Sequence, residues 1–117
     1  MPMFRAPAKK LAELFGKIKS RKLRGVARIP DTTAAMSGLD LDRIVRRARE
    51  AWDVTDIDHA LDVAQRSHIK TLNMLVKLRA EKHETEARVF SRMADSLQSI
   101  VKNLKKVRKD IATSKWN

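Results

Sequence analysis

With 117 residues, 26 Lys and Arg against 14 Asp and Glu, and a formal charge of +12, the chain is small and strongly basic. That length supports one domain, and the absence of cysteine excludes a disulfide framework, a zinc-thiolate site and a cysteine nucleophile. Apolar residues reach 43% but aromatics only 4%, so the core must come from Leu, Ile, Val, Ala and Met, the side chains of helix–helix seams.

Charge is unevenly placed. Residues 1–30 hold nine Lys and Arg against one acid, residues 31–64 four against eight, and residues 65–117 thirteen against five. Two basic regions therefore flank an acidic middle. No apolar run approaches the ~20 residues that cross a bilayer, and the lack of cysteine fits a reducing compartment. The expected location is the cytoplasm, or the inside of a virion or other assembly. The Arg/Lys-rich, nearly acid-free N-terminus also resembles a mitochondrial transit peptide in composition, which makes import the alternative.

The first 30 residues read as a basic amphipathic arm. Over residues 8–24, Leu11, Leu14, Phe15, Ile18 and Leu23 fall near one helical face. Lys9, Lys10, Lys17, Lys19, Arg21 and Lys22 fill much of the rest, with Arg24 following. Pro7 suits a first turn, whereas Gly16 weakens the centre by roughly 1 kcal/mol relative to alanine. Such a helix needs a partner surface to hold it. Residues 31–38 are expected to be a linker, the end of a stretch marked by Gly25, Pro30, Asp31-Thr32-Thr33 and Gly38.

Residues 39–117 read as a helical oligomerisation domain. From Leu39 to the end there is neither glycine nor proline, and helix formers dominate. A short helix is expected over 39–52, capped by Ser37 or Asp40, with Leu41, Ile44, Val45, Ala48 and Trp52 on one stripe. Arg43, Arg46, Arg47 and Arg49 lie mostly off it. A second start falls at Thr55, whose hydroxyl can accept an orphan N–H, with Asp56 and Asp58 suited to the first turn.

From Thr55 the apolar stripe runs Ile57, Leu61, Ala64, His68, Leu72 and Leu75. It then shifts to Val76, Ala80, His83, Ala87, Phe90, Ala94, Leu97, Val101, Leu104, Arg108 and Ile111. This second row alternates steps of four and three, the mark of a left-handed coiled-coil seam, and Met93, Ile100 and Val107 widen it. The expected fold is all-α: a basic arm, a short helix and one long coiled-coil-like helix over about 55–114. A helical hairpin broken within the polar segment 79–86 is the alternative. One long helix cannot cover its own seam, so a homo-oligomer is expected through Val76, Ala80, Ala87, Phe90, Ala94, Leu97, Val101, Leu104 and Ile111.

No constellation supports catalysis. His59 sits among Asp56, Asp58 and Asp62, but three carboxylates within one and a half turns point around a helix and do not converge on an ion. An acidic helix start explains them. His83-Glu84-Thr85-Glu86 lacks the second histidine of a zinc-protease helix, and Ser67, Ser91, Ser96 and Ser99 have no elbow glycines. No enzyme activity, metal or cofactor is expected.

The basic regions carry the functional expectation. Lys102, Lys105, Lys106, Arg108 and Lys109 crowd two turns, with Asp110 as the one counter-charge. Late cations suit a helix C-terminus, and many charge runs are only solvated faces. Two separated basic regions nonetheless fit nucleic acid bound through its phosphates, with Lys9, Lys10, Lys17, Lys19, Arg21, Lys22 and Arg24 as the second group. Few aromatics argue against stacking on single strands. The same lysines could instead meet an anionic membrane surface, with Leu11, Leu14, Phe15 and Ile18 entering the interface and Trp116 as a second anchor. A third reading is a small assembly subunit of a virion, secretion or conjugation apparatus, touching a genome or an acidic protein partner.

Overall fold

The computed structural model describes residues 3–20 and 28–115. They form five α-helices and no strand: α1 (Arg5–Ser20), α2 (Asp31–Ser37), α3 (Leu41–Ala51), α4 (Thr55–Ala80) and α5 (Glu84–Lys115). The all-α expectation holds. The long helix does not stay continuous, however: it breaks at residues 81–83 into an antiparallel hairpin of α4 and α5, of 26 and 32 residues.

Backbone geometry explains a turn that lacks glycine. Lys82 adopts the left-handed region, with φ of 61°. That lets the His83 N–H reach back five residues to the Leu78 carbonyl at 2.9 Å, a Schellman closure. The His83 carbonyl then accepts the Ala87 N–H at 2.9 Å and starts α5. A left-handed L-residue costs about 1–2 kcal/mol, whereas burying one large apolar side chain contributes about 1.5–3 kcal/mol. Folding back seals Ile57, Leu75 and Leu78 of α4 and Phe90, Leu97, Leu104 and Ile111 of α5 into one core. Packing outweighs the strain.

The expected interface row is therefore largely covered within the chain. Ala87, Phe90, Ala94, Leu97, Leu104 and Ile111 are buried and Val101 is partly buried, while Val76 and Ala80 are exposed. The seam of α5 needs no second copy to leave water. Met93, Ile100 and Val107, on the flank of that row, are buried as well.

α1 packs on α5. It starts at Arg5 rather than residue 8 and buries Leu11, Leu14 and Ile18, with Phe4 just ahead of it. The partner surface that a marginal helix requires is thus supplied internally. Leu23 lies outside the described residues.

The expected linker at 31–38 is instead mostly helix. α2 follows Pro30, an extended N-cap residue with ψ of 136°, and packs on α4. Its Thr33 and Met36 are buried, and the Thr33 and Thr71 hydroxyls share a hydrogen bond of 3.2 Å. Ala60, Ala64, Ser67 and Thr71 form a buried row of small side chains along α4.

α3 lies chiefly against α4 and also touches α5. Asp40 caps it, accepting the Arg43 N–H at 3.2 Å. Trp52 is not part of the buried stripe: it is half exposed and ends α3 with φ of 53°. At the start of α4 the Asp53 carboxylate accepts both the Thr55 N–H (2.9 Å) and its hydroxyl (2.6 Å), so Thr55 donates where it was expected to accept.

Candidate nucleic-acid interface

The helical period separates charge from core on α5. Lys102, Lys105, Lys106 and Lys109 are exposed, while Ile100, Leu104, Val107 and Ile111, interleaved with them, are buried. None of these four lysines has an acid partner among the described residues. α1 repeats the arrangement, with Lys9, Lys10 and Lys17 exposed opposite its buried leucines and Ile18. Lys19 falls in the last turn of α1, and its side chain lies outside the described residues, as do Arg21, Lys22 and Arg24.

One hydrogen bond ties a residue ahead of α1 to α5. The Asn103 Nδ2 donates to the Met3 carbonyl at 3.2 Å, across 100 positions of sequence. Asn103 stands between Lys102 and Lys105, so the first turn of α1, with exposed Arg5 and then Lys9, begins beside the lysine-rich turns of α5.

Arg108 behaves differently from its neighbours. Its Nε donates to Asp58 Oδ1 at the start of α4. That hydrogen bond, and then the carboxylate charge, raise the guanidinium pKa above its usual value. The pair marks the boundary between the cationic turns of α5 and the acidic start of α4, where Asp56, Asp58 and Asp62 are exposed. Lys105, Arg108 and Lys109, with Ala112 and Thr113, line an open cavity of about 470 Å³.

Two further cationic groups were not assigned from sequence. Arg43, Arg46, Arg47 and Arg49 are exposed on α3. Their off-stripe spacing was visible, but Asp40, Asp42 and Glu50 beside them dilute the local charge. At the hairpin tip Arg79, Lys82, Arg88 and Arg92, with Glu84, Ala87 and Ser91, line a cavity of about 460 Å³. Only the turn at residues 81–83 brings that group together.

Among the described residues no set of three or more His, Asp or Glu side chains is placed to hold a metal ion. His83 sits in the turn with its Nε2 3.5 Å from Glu81 Oε2. No helix among the described residues is long and apolar enough to cross a membrane. Trp116 lies outside the described residues. Comparison with protein-family models, curated proteins and solved structures finds no match to the chain.

Proposed function

We propose that the protein binds nucleic acid through phosphate contacts made by the cations of α1 and α5, and catalyses no reaction on it. The observation that carries this reading is the hydrogen bond from Asn103 to Met3, which brings the start of basic helix α1 beside the lysine-rich turns of α5. Phosphate contacts position a protein on nucleic acid without any base-reading side chain, and the exposed Lys102, Lys105, Lys106 and Lys109, which have no acid partner among the described residues, suit them. The 4% aromatic content disfavours stacking on single strands, so a duplex or backbone-tracking mode is proposed. A packaging, nucleoid-associated or virion-associated role fits such binding, in the cytoplasm or inside a particle.

An anionic membrane would attract the same lysines. Its apolar half of the bargain is missing, because Leu11, Leu14 and Ile18 are buried where α1 packs on α5.

The test is binding to duplex DNA, RNA and anionic vesicles between about 50 and 200 mM salt. Log K for nucleic acid should fall linearly with log salt. Replacing Lys102, Lys105, Lys106 and Lys109 with Gln should flatten that slope by up to ~0.9 per lost duplex phosphate contact. The circular dichroism spectrum should stay unchanged, since all four side chains are exposed. No binding to DNA or RNA at about 50 mM salt, or binding to vesicles alone, overturns the proposal.

A further inference from the structure

We propose that the outward face of α4 docks a second copy of this chain, helix against helix and antiparallel. Five large apolar side chains are exposed among the described residues, and three of them share this face: Ile69 (58% exposed), Leu72 (40%) and Val76 (67%). They belong to a longer row, Asp58, Asp62, Gln65, Ile69, Leu72, Val76 and Arg79, that alternates steps of four and three without a break. Such a row keeps one line of a helix facing one partner helix. Among the described residues nothing covers this face, and α4 buries Ile57, Ala60, Ala64, Ser67, Thr71, Leu75 and Leu78 on its other side.

The order of charges selects the occupant. The row begins with acids, has an apolar middle and ends in a cation. Laid antiparallel on a second copy about a two-fold axis between Ile69 and Leu72, it sets Ile69 against Leu72, Gln65 against Val76 and Asp62 against Arg79. The axis repeats each contact, so every favourable pair occurs twice. A parallel pair would set Asp62 on Asp62 and Arg79 on Arg79, which repel. Lipid is a poor occupant, since carboxylates and a guanidinium lie in line with only three apolar side chains. Asp62 now pairs with Arg66 at 3.2 Å on one exposed helix turn. That contact contributes little and leaves the carboxylate able to meet a second cation. Asp58 is held by Arg108 and closes the edge of the row. At its other end Arg79 shares a cavity with Ala87 and Ser91, small side chains that let a second helix approach.

From Asp62 to Arg79 the contact runs about 26 Å at 1.5 Å per residue, a length suited to a concentration-dependent dimer rather than an obligate one. The inference does not rest on nucleic-acid binding and is tested without it. Sedimentation of the full chain from about 5 to 500 μM should show a shift from 13.4 kDa toward twice that mass. Ile69→Glu and Val76→Glu should remain monomeric at every concentration with unchanged helicity. Asp62→Arg and Arg79→Asp should each weaken the dimer roughly tenfold, because the two-fold axis repeats each altered pair. The double charge reversal should restore it. A wild type that stays monomeric, a dimer that survives both apolar-to-Glu changes, or a double reversal that fails to recover overturns the proposal.

Discussion

The two long helices, α4 and α5, each carry an unbroken row at steps of four and three, yet one row is sealed inside the chain and the other faces solvent. On α5 the row runs from Ala87 to Ile111 and is covered by the rest of the fold, apart from Val101 and Arg108. On α4 the row from Asp58 to Arg79 exposes every large apolar member. The rows meet at one point, where Arg108 of the inner row pairs with Asp58 of the outer one. A heptad repeat states that a helix has a neighbour. Whether that neighbour belongs to the same chain depends on where the chain turns.

The largest effect separates the two rows directly. Leu97 is fully buried, so Leu97→Asp places an uncompensated carboxylate in the core at a cost of several kcal/mol. Thermal melting should show a chain that is unfolded or close to it. The chemically similar change Val76→Asp falls on a side chain 67% exposed and should alter stability by only about 0.5 kcal/mol. Equal losses from the two would mean that α4 and α5 do not form this hairpin. Leu97→Asp thus probes the fold, whereas changes at Ile69 and Val76 probe association.

Next in size is the contact that fixes α2 on α4. Thr33 and Thr71 are both fully buried and satisfy each other. Thr33→Val leaves the Thr71 hydroxyl without its partner and should cost about 1–3 kcal/mol. Changing both to Val removes the orphan, so the double variant should be more stable than either single one. Strict additivity in that cycle would show that the hydroxyls do not interact.

Much of this was legible in sequence. The positions of α1, α3 and the α4–α5 stretch follow from apolar spacing, and Asp40 was readable as a cap because an aspartate directly precedes the α3 stripe. The segment 79–86 was readable as the polar weak point and as the place of an alternative hairpin turn, but a continuous helix was the leading expectation because Lys82 occupies the left-handed position that glycine usually marks. α2 was hidden for another reason. Pro30, Asp31 and two threonines are turn-type residues, and what makes the segment helical is burial of Thr33 and Met36 on a helix some 40 residues away. The lysines of α1 and α5 were visible as charge, whereas the approach of the start of α1 to the lysine-rich turns of α5 depends on Asn103 meeting Met3 across the fold. No local pattern encodes such a pairing.

The smallest effect sharpens the comparison at its origin, the turn that divides the two rows. Lys82 has φ of 61°, a conformation in which its Cβ is strained and a glycine would not be. Lys82→Gly relieves that strain but increases the freedom of the unfolded chain, so the net gain should be about 0.5–1 kcal/mol. For a domain of this size that raises the melting temperature by roughly 2–5 °C. The lysine also stands with Arg79, Arg88 and Arg92 around one cavity, so removing its charge alone could relieve repulsion. Lys82→Ala separates the two causes, because alanine loses the charge yet keeps the Cβ. If backbone strain dominates, Gly raises the melting temperature and Ala does not. An equal rise in both variants would assign the cost of the turn to crowded cations, and the left-handed residue would cease to explain why the hairpin closes where it does.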